Sequence, residues 1–237
     1  MKNQTFNLLK KEIKLGNTAQ TMCWLICCFG MFFIPSYPSY IGPFYLTLCI
    51  MMTFAMNQSS HDILYTVLLP VRKIDTVKAR FLYCGLIEIF ALVLAIIPFV
   101  LHRLLPFPEN RAGIPLNIAF VGLQLIVFSV FNFIFLGNVY KNPLKPGLRF
   151  ILAAIGYFAT YALCEVPVWA YFSMSSKLKA GEIRELSALA IFGSKLYDMD
   201  SAIVNQLEVF VIGSLIFAAS WFITFRRAAK QFESYDI

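Results

Sequence analysis

The sequence predicts an all-α, polytopic membrane protein with six transmembrane helices, and three observations carry that expectation. Of its 237 residues, 59% are hydrophobic and 14% are charged, against about 25% charge in a typical soluble domain; mean hydropathy is +0.70. Residues 16–60 contain no formally charged side chain, more than twice the ~20 apolar residues that take a helix across the hydrocarbon core. Lysines and arginines gather at the ends of the apolar runs, where cytosolic anchors of spans belong. A net charge of +7 therefore points to membrane orientation and not to nucleic acid, whose recognition needs a basic face interleaved with exposed aromatics.

The lead-in MKNQTFNLLKKEIKLG (residues 1–17 with the following Asn17) sets Phe6, Leu9 and Ile13 on one helical stripe and Lys10, Lys11 and Lys14 elsewhere, the pattern of an amphipathic helix lying at a membrane surface. No small-residue cleavage site follows it, so it is expected to be retained and not removed as a signal peptide. The charge-free stretch then holds two spans, 18–34 and 40–58, divided by the turn sequence PSYPSYIGP (Pro35–Pro43). Four more are expected at 80–101, 116–139, 149–172 and 203–225, which makes the whole of 1–237 a single membrane domain. With both termini inside, fourteen of the twenty Lys and Arg residues fall in the cytosolic segments and six outside, the bias expected of an N-in, C-in chain.

Between the second and third spans, residues 59–79 read as two short helices broken at Pro70. Ser59 or Ser60 can cap the first, with Asp62 in its first turn. Ile63, Leu64, Val67 and Leu68 recur at helical spacing, as do Ile74, Val77 and Phe81 after the proline; the basic residues among them are expected to face water and lipid phosphates. The outer segment 173–202 carries a helical pattern of Leu178, Ile183, Leu186 and Leu189 among charges and is expected to lie over the outer mouth. Tyr37, Tyr40, Trp169, Tyr171 and Tyr197 fall near the outer interface and fit an aromatic belt.

Catalytic signatures are lacking: the sequence has no GxxxxGK[ST] phosphate loop, no HExxH and no GxSxG. Its six cysteines all fall within spans, where a thiol acts as a small apolar group, and the two histidines, His61 and His102, are not placed to complete a metal site with Cys23 and Cys27. Three carboxylates, Glu88, Glu165 and Glu208, lie inside spans, where facing lipid is costly; each is expected to face protein or water. Interhelical hydrogen bonding and a polar pathway are both open to them, with Asn132, Asn205, Gln124 and Gln206 as companions. Glu165 precedes Val166 and Pro167, and the proline frees the Leu163 carbonyl, so EVPVW is the expected bent, polar point.

The string DILYTVLLPVRKIDTVKARFL resembles the segment after the second span in permease subunits of the type-2 ATP-binding-cassette transporter family, whose small bacterial members carry L-P-x-S-R-K-x-x-x-x-x-K-(Y/F)-L. Leu69, Pro70, Arg72, Lys73, Arg80, Phe81 and Leu82 stand at or near the matching positions. The serine is missing, since Val71 runs straight into Arg72, and Lys78 or Arg80 replaces the usual lysine. The resemblance implies a half-transporter of the bacterial cytoplasmic membrane: two permease subunits forming the pathway, separate ATPase subunits that hold the ATP and Mg, and no cofactor on this chain. It also implies an elbow helix over 1–17 and a coupling helix that meets the ATPase through Ser60, His61, Asp62, Leu64, Tyr65, Leu68, Pro70, Arg72 and Lys73. Cargo of the kind moved by phenol-soluble-modulin and antimicrobial-peptide exporters suits the apolar interior better than a sugar. Two other classes compete: a membrane-embedded enzyme acting on lipid or isoprenoid with the three glutamates as working groups, and a scaffold or immunity protein that transports nothing.

Overall fold

The computed structural model describes residues 2–34, 37–59, 65–66, 71–105, 112–142, 145–182, 184–197 and 203–234. Every regular element among the described residues is a helix: α1 (Lys2–Gly16), α2 (Ala19–Met31), α3 (Ile41–Ser59), α4 (Lys73–Leu104), α5 (Ile118–Ile134), the short α6 (Leu136–Val139), α7 (Pro146–Lys179), α8 (Ala188–Tyr197) and α9 (Ile203–Glu233). Local chemistry fixes several boundaries. Thr18 caps α2 by accepting from the Thr21 amide at 3.3 Å, and Asn117 caps α5 by accepting from the Phe120 amide at 2.8 Å, as N-cap side chains do. Pro146 opens α7, where its missing N–H costs nothing. Just past the end of α7, Gly181 takes φ +75°, the left-handed turn that stops a helix.

Four helices are long and apolar enough to cross a membrane: Lys73–Leu101, Ile118–Val139, Pro146–Lys179 and Val204–Glu233. They match the last four expected spans. α2, at 13 residues, rises only about 20 Å. α3 has 19 residues but ends in the polar Asn57, Gln58 and Ser59. The chain is therefore a multi-pass, all-helical membrane protein.

Contacts along the helices give their directions. α2 and α3 are antiparallel, with Trp24 stacked on Tyr45 at 5.6 Å and Gly42 against the Cys28 carbonyl. α3 runs against α7, where Phe44 meets Tyr157 and Phe158 at 5.2 and 4.6 Å. α4 runs against α9, pairing Phe81 with Phe225 and Gly85 with Trp221. α5 is antiparallel to α7 but parallel to α9: Gly122 meets Val209 and Phe210, the Ser220 hydroxyl donates to the Ser129 carbonyl at 3.2 Å, and Gln231 donates to the Gly137 carbonyl at 2.9 Å. At the α5–α9 crossing glycine faces glycine; a Cβ on Gly122 would come within 2.6 Å of the Phe210 Cα, and one on Gly213 would strike the Gly122 carbonyl. These registers bring the basic segments 2–14, 72–80, 141–149 and 226–230 to one end of the bundle.

Two expectations change. The pattern of Leu178, Ile183, Leu186 and Leu189 does not form one helix: Leu178 ends α7, Gly181 turns the chain, and Leu189 lies in α8; Ile183 is outside the described residues. α8 then folds back along α7 until Gly193 abuts the Pro167 carbonyl. Tyr40 is no belt residue. It is fully buried, with its ring 5.1 Å from those of Phe120 and Tyr161, whereas Tyr37 and Trp169 are exposed as an interface requires.

Candidate functional site: buried polar layers of the helix bundle

At the basic end, α1 does not lie across the helices but runs alongside the first turns of α4. The Thr5 hydroxyl reaches Asp75 Oδ1 at 3.5 Å, Arg80 Nε donates to Glu12 Oε1 at 3.2 Å, and Gly16 meets the Tyr83 ring. Glu12 is 1% and Arg80 2% exposed. Asn57 of α3 donates to Glu12 Oε2 at 3.4 Å, Lys11 reaches the Thr66 hydroxyl at 3.0 Å, and the Arg80 guanidinium carbon sits 5.8 Å from the centre of the Phe54 ring. A paired, hydrogen-bonded ion pair is the form in which charge survives burial. Arg80 thus departs from the expectation that it faces water or lipid phosphate: a carboxylate arrives from α1, and the position falls on the same inward face as Val77 and Phe81. Sequence reasoning missed Glu12, although it is the only acidic residue before Asp62. The inward face of α1 is Leu8, Glu12 and Gly16, while Phe6 and Ile13 of the expected stripe point outward, Phe6 being 66% exposed.

Of the residues expected to meet an ATPase, Ser60, His61, Asp62, Leu64, Leu68 and Pro70 lie outside the described residues. Tyr65 is exposed, and Lys73 opens α4. Arg72 is exposed and donates from Nε and Nη2 to the Asp75 carboxylate at 2.8 and 3.2 Å, an ion pair that raises the affinity of its guanidinium for its proton.

Deeper in the bundle, Glu88 of α4 meets Asn132 of α5, whose Nδ2 donates to Glu88 Oε2 at 3.0 Å. Next to this layer, Gln124 donates to the Tyr157 hydroxyl at 3.1 Å, and that hydroxyl donates to the Tyr40 carbonyl at 2.7 Å. At the end opposite the basic one, Glu165 is fully buried and both its oxygens stand 3.1 Å from the Ile114 amide. Here Ser39 donates to the Ile114 carbonyl at 3.2 Å, Asn117 to the Leu196 carbonyl at 2.7 Å, and Trp169 to the Ala112 carbonyl at 3.4 Å. Glu165 thus ties the segment entering α5 to α7, satisfying a backbone N–H that burial would otherwise leave costly. α7 continues through Pro167, and Glu165 lies on its buried side.

Glu208 is exposed on α9 and Asn205 is half-buried, while Gln206 points inward. The three span carboxylates therefore do not converge. Asn132 and the Asn117 cap, which mark the levels of Glu88 and Glu165, are separated by about 20 Å of α5. Among the described residues no three His, Cys, Asp or Glu side chains gather as a metal-ligand set. An apolar recess of about 180 Å³ opens between α4 and α5, lined by Leu92, Ile96, Phe99, Leu116, Phe120 and Val121 among others.

These features define a helical multi-pass membrane protein whose buried polar groups are distributed in layers. Comparison of the chain with protein-family profiles, with curated proteins and with solved structures finds no match.

Proposed function

We propose that the chain is the membrane subunit of an ATP-driven exporter in a bacterial cytoplasmic membrane, crossing it six times with both termini inside, pairing with a second permease subunit and driven by separate ATPase subunits. The observation that carries this reading is the lock between α1 and the stem of α4. The Glu12–Arg80 bridge and the Thr5–Asp75 contact join the N-terminal helix to the helix that immediately follows the segment resembling a coupling helix. A push on residues 60–71 thereby moves α1 and α4 together, the rigid-body transmission that coupling needs. The outward Phe6 and Ile13 suit contact of α1 with lipid, and the apolar recess beside α4 suits lipophilic or amphipathic peptide cargo. The separation of the three carboxylates counts against the lipid-modifying enzyme, which needs its acid and base in one site.

The alternating helix directions and the collection of basic segments at one end support the topology. Single cysteines placed in a cysteine-free background at positions 73 and 227 are expected to react with membrane-impermeant thiol reagent only after permeabilisation, and one at position 182 in intact cells. Labelling of position 73 from outside overturns the orientation.

The coupling role is tested by affinity purification from native membranes. An ATPase with a phosphate loop is expected to co-purify, and Asp62→Arg is expected to reduce that recovery several-fold while Lys78→Gln leaves it unchanged. Absence of any nucleotide-binding partner, with Asp62 variants behaving as wild type and Arg72 and Lys73 variants failing to insert, reduces the segment to a membrane anchor.

A further inference from the structure

Among the described residues three glutamates are buried in this bundle, and their surroundings differ in kind. Glu12 faces the guanidinium of Arg80. Glu165 faces a backbone N–H, a donor suited to either form of a carboxyl group. Glu88 faces neither. Its Oε2 accepts from Asn132 Nδ2, but Glu88 Oε1 and Asn132 Oδ1 are both fully buried and have no hydrogen-bond partner among the described residues. An ionised carboxylate only accepts, and so does an amide oxygen; two buried acceptors on a contacting pair, each without a donor, are what folded proteins avoid. Turning the Asn132 amide over does not help, because it sets the amide oxygen against Glu88 Oε2, acceptor against acceptor.

We propose that Glu88 and Asn132 form a proton-binding site within the membrane bundle. A single proton on Glu88 Oε1 converts that atom into a donor toward Asn132 Oδ1. The acid and the amide then make a complementary, two-bond pair across α4 and α5, with both orphaned oxygens satisfied and no net charge buried. The neighbouring groups leave this task to the pair. Cys84, one turn earlier on α4, is a buried neutral thiol; Arg80, two turns earlier, is engaged by Glu12 of α1; Tyr140 lies beside Arg80 on the chain leaving α6. On α7, Tyr157 has its hydroxyl hydrogen committed to the Tyr40 carbonyl. From α3 and α9 the inward polar groups near this level, Thr53 and Thr224, carry no charge. The pair is sealed from solvent, so the proton exchanges when α4 and α5 part. Occupancy of the site is thereby tied to helix separation, whatever the bundle transports.

The substitution Glu88→Gln is chemically apt, since the new side-chain amide reproduces the two-bond pair with its own NH₂ donating to Asn132 Oδ1. Infrared difference spectroscopy on the full-length protein in lipid vesicles at neutral pH, in H₂O and D₂O, reads the site directly. Wild type minus Glu88→Gln is expected to show the carbonyl stretch of one neutral carboxylic acid, shifted down in D₂O, with no loss of carboxylate bands. Asn132→Val, which keeps Glu88, is expected to move that band toward the frequency of an unpaired acid. Loss of carboxylate intensity in the glutamine variant overturns the proposal, and an unmoved acid band in Asn132→Val overturns the pairing. Should Glu88→Gln fail to fold, that failure itself speaks against an amide-like neutral partner, and the Asn132→Val spectrum decides independently.

Discussion

Arg80→Met is expected to destabilise the folded bundle by up to about 3–5 kcal/mol, because it leaves the buried Glu12 carboxylate with only the Asn57 hydrogen bond at 3.4 Å and Lys11 at 3.8 Å. Glu12→Met should cost a similar amount by removing the counter-charge of the buried guanidinium. The double substitution Glu12→Met/Arg80→Met should recover most of the loss, since two apolar side chains of similar volume replace a pair whose desolvation largely cancels its attraction. Thermal unfolding of the three proteins in detergent, followed by loss of the monodisperse chromatographic peak, measures the cycle. Equal losses in the single variants with no recovery in the double would mean that Arg80 and Glu12 act through different partners. A wild-type response in both singles would mean that the α1–α4 lock does not hold in the membrane.

Gly213→Leu should be the most damaging single change in the membrane core. Gly122 and Gly213 let α5 and α9 touch backbone to backbone, and any side chain at 213 must occupy the space of the Gly122 carbonyl. Overpacking usually costs about 1–3 kcal/mol when neighbours can yield. Here the obstruction is backbone, so the helices must separate along the length that also carries the Ser220–Ser129 and Gln231–Gly137 hydrogen bonds. Loss of folded protein is expected for Gly213→Leu, whereas Gly147→Leu, at a site with open space, should express as wild type. Normal folding of Gly213→Leu would show that the crossing is looser than its geometry.

The long spans are legible in the sequence because their signal is composition over length, which needs no partner: α5 follows from a charge-free run, and α4, α7 and α9 from long apolar runs interrupted by few charges. α2 and α3 are legible as apolar and separated by a Pro-rich turn, but their short regular lengths depend on where the chain leaves its packed neighbours. The lead-in reads as helical correctly and as to its faces wrongly. Phe6, Leu9 and Ile13 share a stripe by periodicity, yet the face that turns inward is chosen by Glu12, and that choice is visible only once Arg80, far along the chain, is beside it. Glu165 stands out in the sequence as an intramembrane carboxylate next to a proline. Its engagement of the Ile114 amide depends on the segment before α5 arriving at its level, which no local pattern encodes. Glu208 groups with it on composition but sits on the outside of α9.

The pairing of Glu12 with Arg80 also sets an order of events during synthesis. The two residues are 68 positions apart, so at roughly 5–20 residues per second the ribosome needs several seconds to deliver Arg80 after Glu12 has been made. Over that interval Glu12 has only its neighbour Lys11 as counter-charge, 3.8 Å away in the folded bundle, and lacks the buried guanidinium it docks against, with the first two apolar helices already leaving the ribosome behind it. Closure of the bundle at this end therefore waits for the base of α4, making insertion of that helix the step that commits the N-terminus to its place.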